Sequence, residues 1–475
     1  MAYETIIGLE IHVELDTKSK IFCSCSTKFG AEPNENTCPI CTGLPGTLPV
    51  LNEEVVNLAI KAGNALNCEI NKINKTDRKN YFYPDLPKAF QISQFDMPIC
   101  SKGFVEIEVY GEPKRINITR IHIEEDAGKL IHLEDEPFTL VDYNRTGVPL
   151  IEIVTEPDLR SAKEAVAFLK TLKSILQYAG ISDCRMEQGS LRCDANISIR
   201  EIGSEEYNTK VEIKNLNSFK EVGKALEKEE RRQKELYSFG EGNKIKQETR
   251  KWDAGKGRTI PMRSKEDAHD YRYFPEPDLP PVFIKEELIK EIGNTLPELA
   301  KEKSRRFMKQ YGLKEKEVEI LVSHKELADY FEEVVKFNCK PKDASNWITV
   351  EVMRAIKETE IIPIKAEYLA KLINLVDKGT ISRLAAKEVF REMMESKGDP
   401  ENIVMKKGLL QINGEDVLEE IIKNVLSQNP KAVEDFTNGK DKAVGYLVGQ
   451  IMKETKGKAN PSIAKEMLIK KLKEI

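Results

Sequence analysis

Thr5-Ile-Ile-Gly-Leu-Glu-Ile-His-Val-Glu-Leu15 alternates strictly between two kinds of residue. Ile7, Leu9, Ile11, Val13 and Leu15 fall on one face, with Glu10, His12 and Glu14 on the other. Leu191-Arg-Cys-Asp-Ala-Asn-Ile-Ser-Ile-Arg200 repeats the pattern. Its apolar face is Leu191, Cys193, Ala195, Ile197 and Ile199, and its polar face is Arg192, Asp194, Asn196, Ser198 and Arg200. A period of two with one wet face predicts half-buried, antiparallel strands.

Working outward, Phe104–Tyr110 and Lys210–Lys214 read as further strands. Two helices interrupt them. Ser161 to Ala179 opens with Ser161 and Glu164 and stops at Gly180; Ser218 to Leu236 opens with Ser218 and Glu221. Phe274-Pro-Glu-Pro-Asp-Leu-Pro-Pro281 is too proline-rich for helix. Beyond it the spacing turns helical, as in Val350–Glu358, Lys365–Val376 and Ser382–Glu395. A second break spans Ser396–Glu401, and Pro430 and Pro461 punctuate the last segment. The expectation is an α+β chain: a body rich in antiparallel sheet, a helical middle and a small helical tail.

Length and charge narrow the class. The chain has 475 residues, 40% hydrophobic and 32% charged, which suits two to four soluble domains rather than disorder. No apolar run approaches the roughly 18–20 residues of a membrane span. The start lacks a basic region and an apolar signal core, so a cytoplasmic protein is expected. Net charge is -5, but Lys440–Ile475 holds nine Lys and four acids and so carries +5. That segment reads either as a phosphate-contacting arm or as a solvated helix face.

Nine cysteines, an odd number, argue against a disulfide framework in a reducing compartment. Four of them pair closely as Cys23-Ser-Cys25 and Cys38-Pro-Ile-Cys41, between turn-rich connectors. Two thiolate pairs on a short loop close a tetrahedral zinc site with no open position, a structural one; free thiols are the alternative. Glu10 and His12 are two ligand-type side chains about 6.6 Å apart on one strand face, either a metal site or a polar row. Glu124, Glu125, Asp126 and Glu152 are carboxylates that could join them, and Glu152 interrupts an apolar run. Oxygen ligands with one imidazole favour magnesium or manganese over zinc.

Asp77 to Asp96 mixes Arg78, Lys79 and Lys88 with Tyr81, Phe82, Tyr83 and Phe90, without helix or strand period. Such a loop reads as a phosphate- and base-contacting site or as an anchored core plug. Lys214-Asn-Leu-Asn-Ser218 and Asp270-Tyr-Arg-Tyr-Phe274 are similar. There is no GxxxxGK[ST] loop, no GxGxxG, no GxSxG, no amidase Ser-Ser-Lys stretch, and neither HIGH nor KMSKS.

Ile7–Leu15, the cysteine pairs with Gly43-Leu-Pro-Gly-Thr-Leu-Pro49, and Asp77–Asp85 resemble the B subunits of the aspartyl/glutamyl-tRNA amidotransferases. So do Glu124-Glu-Asp-Ala-Gly-Lys129, Gly189–Asn196, Lys214–Ser218, Asp270–Pro277, Ala443–Lys453 and Lys458-Ala-Asn-Pro461. The resemblance runs from Met1 to Ile475.

It implies a cradle domain over 1–293, a helical domain over 294–405 and a tRNA-binding tail over 406–475. It implies a three-chain complex with an amidase, the A subunit, and a small C subunit. In it, the B subunit phosphorylates the side-chain carboxylate of Glu or Asp on mischarged tRNA from ATP, and ammonia from the amidase then forms the amide. Glu10, His12, Glu125 and Glu152 match its magnesium-binding positions, Cys23, Cys25, Cys38 and Cys41 its zinc site, and Lys79 its ammonia channel. Arg78, Tyr81, Tyr83, Asp194, Lys214 and Asn215 are substrate-side candidates within the shared motifs. No motif assigns the residues that contact ATP. The residues alone leave Glu124 and Glu125 equally open, and a noncatalytic zinc-containing tRNA-binding scaffold is the alternative function.

Overall fold

The computed structural model describes residues 3–133, 136–262, 270–355, 362–411, 415–438, 440, 442–455 and 457–474. The chain divides into two compact units, Met1–Leu299 and Ala300–Ile475. The first is rich in sheet and the second helical, an α+β arrangement.

The alternating stretch at the start forms β1 (Tyr3–Glu14). It is followed by helix α1 (Glu53–Ala65), β2 (Glu69–Ile70), β3 (Ile73–Asn74), β4 (Asp77–Asn80) and β5 (Phe90–Ser93). Next come β6 (Cys100–Val109), β7 (Glu112–Glu125), β8 (Lys129–His132), β9 (Thr139–Asp142) and β10 (Pro149–Thr155). Helix α2 (Ala162–Tyr178), β11 (Leu191–Glu201), β12 (Val211–Lys214) and helix α3 (Phe219–Ser238) continue the unit. It ends with β13 (Glu248–Asp253), β14 (Arg258–Pro261), β15 (Phe274–Pro275), β16 (Val282–Phe283) and helix α4 (Glu286–Asn294).

Nine strands make one sheet in the order β14-β13-β12-β11-β1-β10-β7-β6-β2. Every pairing is antiparallel except β12 with β13. The two stretches read as alternating strands, β1 and β11, lie side by side over eleven paired positions. Their apolar residues join one core with α1, α2 and α3. Ile7, Leu9, Ile11 and Val13 are fully buried there, each contributing about 1.5–3 kcal/mol. The same alternation turns Glu10, His12 and Glu14 to the other face. Both helix starts hold as capped termini, with Ser161 Oγ accepting from the Glu164 N–H and Ser218 Oγ from the Glu221 N–H. The short strand β4 pairs with β5 on one side and β15 on the other, which fixes the Asp77–Asp96 loop and the proline-rich segment together.

The second unit holds two hydrophobic clusters, one drawn from Phe307 to Val404 and one from Leu418 to Leu472. Helices Ala366–Asp377 and Arg383–Ser396 lie where helical spacing predicts them. Of the expected helix Val350–Glu358, residues 356–358 lie outside the described residues; Ile348–Val352 forms a wide helical turn. Asp399 caps the helix Pro400–Lys407 at the second break.

Candidate active site

The site is built by strand register. His12 stands opposite Glu152 across β1 and β10, and Glu152 stands opposite His122 across β10 and β7. Glu124, two residues on from His122, points to the same side. His12 Nε2 and His122 Nε2 each lie 3.2 Å from Glu152 Oε2, and His122 Nε2 lies 3.3 Å from Glu124 Oε2. Ligand atoms of His12, Glu124 and Glu152 all fall within 4.8 Å of one another.

Lys79 Nζ sits 3.2 Å from Glu124 Oε1 and over the Tyr271 ring, and Ser93 Oγ donates to Glu124 Oε2. Burial pushes the Glu124 pKa up, but Lys79 and His122 outweigh it and hold it at about 2. Burial opposes ionisation of Glu152 as well, and His12 and His122 still hold its pKa far below the ordinary range. The reverse holds for the bases. Burial pushes the His122 pKa down, yet Glu124 and Glu152 raise it to about 9. Lys79, against the same burial, is held above the ordinary lysine range by Glu124. Imidazoles and carboxylates thus favour one another's charged forms, at a place a divalent cation would fill. His122 Nδ1 is buried with no partner among the described residues. Two carboxylates and an imidazole at this spacing fit magnesium or manganese.

Glu10 continues the row from His12. It accepts from Asn196 Nδ2 at 2.9 Å, and burial and nearby Glu152 push its pKa up. Glu125 turns the other way from Glu124. It accepts from the Ile92 N–H at 2.8 Å and pairs with Lys88. There it faces a cavity of about 230 Å³ that also reaches Arg78, Cys23 and Cys41. Of the expected set of four, the geometry brings His12 and Glu152 into contact, adds Glu124, and leaves Glu125 on a separate side.

The four cysteine sulfurs of Cys23, Cys25, Cys38 and Cys41 also lie within 4.8 Å of one another, so the cluster can bind zinc. Cys41 is more acidic than Cys23 and Cys25. A hydrogen bond from Cys23 holds its pKa down to about 4 against burial, with help from the Cys38 N–H and Lys20. Lys20 is fully buried, with Nζ 3.7 Å from Cys41 Sγ and 2.7 Å from the Asn36 carbonyl oxygen.

The substrate-side candidates divide. Arg78 is spent in a two-pronged pair with Glu276, at 2.6 and 2.7 Å. Tyr81 donates to Gln91 Oε1 at 2.7 Å, and Tyr83 is half-exposed. Lys214 bridges Asp194 at 2.8 Å and Glu212 at 3.1 Å, beside Glu10 in the strand row. Asn215, in a left-handed conformation at φ 66°, donates to the Trp252 carbonyl oxygen. Sequence reasoning misses His122 and Lys20, and sees Lys88 only as one cation of a loop. Arg120-Ile-His-Ile-Glu124 carries for His122 the same two-residue spacing that marks Glu10 and His12.

Among the described residues, no helix is long and apolar enough to cross a membrane. Residues 5–290 match the GatB/GatE catalytic domain, and residues 329–472 match the GatB domain. The second B subunit of the aspartyl/glutamyl-tRNA(Asn/Gln) amidotransferase of Clostridium acetobutylicum is 62% identical over 478 residues, covering 100% of both chains. The corresponding B subunit of Clostridium beijerinckii is 63% identical and that of Caldicellulosiruptor saccharolyticus 56%, again across 100% of each chain. With a catalytic domain over its sheet-rich unit and relatives similar from end to end, the chain belongs to the family of tRNA amidotransferase B subunits, components of a multi-subunit ligase.

Proposed function

We propose that this chain phosphorylates the side-chain carboxylate of Glu or Asp carried on mischarged tRNA(Gln) or tRNA(Asn), using ATP, and then amidates it. The observation that carries the reading is the meeting of His12, Glu124 and Glu152 on the polar face of the sheet. The reaction balances in two steps. A carboxylate oxygen attacks the terminal phosphorus of ATP and ADP leaves; ammonia then attacks the acyl carbon, phosphate leaves and a proton is lost. Bound at His12, Glu124 and Glu152, with Glu10 and Glu125 as further candidates, magnesium would neutralise the phosphate oxygens during transfer.

The remaining roles belong to the chain itself. Lys79 is held as a cation by Glu124, so on an ammonia route its proton stays committed to that carboxylate rather than passing to ammonia. Lys214, poised between two carboxylates, exchanges one of them for a phosphate or for the substrate carboxylate. The four cysteines hold structural zinc, and the basic tail attracts tRNA. The partners are an amidase, which releases ammonia from glutamine, and a small C subunit.

The test is an amidation assay on the co-expressed three-chain complex with Glu-tRNA(Gln), ATP, magnesium and glutamine. Glutamine should appear on the tRNA only with ATP. It should be lost in His12→Ala, Glu152→Gln and Glu124→Gln, with tRNA affinity kept. No product from glutamyl or aspartyl substrate, even with free ammonia, would leave a tRNA-binding scaffold as the function.

A further inference from the structure

Lys20 is a charged side chain where a charge is costly, with 0% of its surface exposed. Its ammonium donates to the Asn36 carbonyl oxygen at 2.7 Å and the Tyr143 carbonyl oxygen at 3.3 Å, and lies 3.7 Å from Cys41 Sγ. We infer that Lys20 is the built-in counter-cation of the zinc centre, a positioning residue that assembles the two cysteine pairs and balances part of the charge of four metal-bound thiolates. The inference rests on the reading of the four cysteines as a zinc site and deepens it.

Three observations carry it. The first is charge. A buried ammonium is strongly unfavourable unless an anion faces it. Among the described residues, no carboxylate pairs with Lys20. Glu125 also comes close to Gly147, beside the Lys20 stem, but it pairs with Lys88. Two carbonyl oxygens supply dipoles rather than charge, and the acidic group in contact with Lys20 is the Cys41 thiol. Zinc held by four thiolates carries a net negative charge, because a bound thiol loses its proton outright. That centre is the anion the buried ammonium lacks.

The second is the sulfur. Cys41 Sγ accepts from the Cys38 N–H at 3.1 Å and also faces the Lys20 ammonium. Two donors aimed at one sulfur favour its thiolate form, the form a metal binds.

The third is connection. The Lys20 N–H donates to the Cys25 carbonyl oxygen at 2.9 Å, while its side chain reaches Asn36 and Cys41. One residue therefore ties the first cysteine pair to the second. It ties both to the segment Tyr143–Gly147 as well, since the Ile21 N–H donates to the Gly147 carbonyl oxygen at 2.9 Å. A Cβ at Gly147 would lie 3.7 Å from both Lys20 Cδ and Cys41 Cβ, so the stem and the ligand residue pack at the same spot. Outer partners of this kind orient metal ligands and tune the metal. Lys20, Cys23 and Cys41 also line the cavity that Glu125 and Lys88 share, so the centre forms part of its wall.

The co-expressed three-chain complex is prepared unsubstituted, as Lys20→Gln, which keeps hydrogen-bond donors without the charge, and as Lys20→Met, which keeps only an apolar stem. Folding is read by thermal melting. Zinc is titrated against a chromophoric chelator, and its affinity should fall roughly 10–100-fold in both variants, the usual effect of losing an outer partner of a metal site. With cobalt in place of zinc, the sulfur-to-cobalt charge-transfer band should move to lower energy, because thiolates without a facing cation hold their electrons less tightly. Unchanged affinity and an unchanged band in a folded Lys20→Gln complex overturn the inference. Weaker binding with an unmoved band overturns it too, and leaves Lys20 as a tie between loops. Where neither variant folds, Lys20→Gln is combined with Cys25→His, which removes one thiolate charge from the centre. Recovery of folding and of zinc supports the charge balance, and no recovery overturns it. If the unsubstituted complex takes up no zinc, the zinc reading fails and the inference falls with it, an outcome distinct from a loss confined to the Lys20 variants.

Discussion

Glu124 and Glu125 are neighbours of the same chemistry with opposite surroundings. Glu124 faces His122, Ser93 and Lys79; Glu125 faces Lys88 and the Ile92 N–H. Glu124→Gln should therefore abolish Mn2+ binding followed by electron paramagnetic resonance. Glu125→Ala should keep it and instead lose about 3–5 kcal/mol of stability in urea unfolding, because Lys88 is left as an uncompensated, largely buried charge. Loss of Mn2+ with Glu125→Ala and not with Glu124→Gln would reverse the assignment. The residues alone could not separate the pair. Which of two adjacent side chains points to which face depends on strand register, and register is set by pairing partners far off in sequence. Glu10 and His12 could be singled out because they share one face of a strictly alternating strand. His122 is masked by the acidic run that follows it, although it shares the spacing.

Elements with a strong period were legible and those defined only by their partners were not. β1 and β11 announce themselves by alternation, and α2 and α3 by a capping serine. β4, β5 and β15 have two to four residues each and exist because they pair with one another. Ion pairs between helices are equally hidden from spacing. Lys303, on helix Ala300–Tyr311, reaches Asp329 at 2.6 Å and Glu332 at 3.1 Å on helix Lys325–Lys336, and Arg306 adds a contact to Glu332 at 2.8 Å. Burial raises the pKa of both carboxyls, but Lys303 and its neighbours Lys325 and Arg306 bring them below the ordinary range. Depressed folded values mean that this contribution is complete above the unfolded carboxylate pKa of about 4 and is lost as pH falls through the folded values. Urea midpoints of the protein should fall below about pH 4, and Lys303→Met should flatten that acid limb while lowering the plateau above it. A mutant curve parallel to the unsubstituted one would show that the cluster does not hold these helices.

At the scale of the whole chain, the order of sheet-rich body and helical remainder was readable, because composition and period both change along it. The spacing turns helical after the proline-rich stretch Phe274–Pro281, yet Ile284 and Ile292 beyond it belong to the first core. A break in periodicity marks where helix and strand stop, not where burial stops. Charge distribution is legible in a different way, since long-range attraction depends on net charge and little on detail. The helix Pro461–Lys473 shows which lysines of the +5 segment are available. Lys471 is engaged by Glu419 and Glu474, whereas Lys465, Lys470 and Lys473 are exposed. If these three meet tRNA phosphates, each releases counterions on binding, and log affinity falls with log salt in proportion to their number. Replacing Lys465, Lys470 and Lys473 together by Ala should then weaken tRNA binding at low salt and reduce the salt slope by roughly 2–3, at about 0.7–0.9 per phosphate contact. Lys471→Ala, which breaks an intramolecular pair instead, should leave the slope unchanged. Filter binding of the complex to tRNA across a salt series reads both. Equal slopes for the triple variant and the unsubstituted protein would mean that the basic face is only a solvated one.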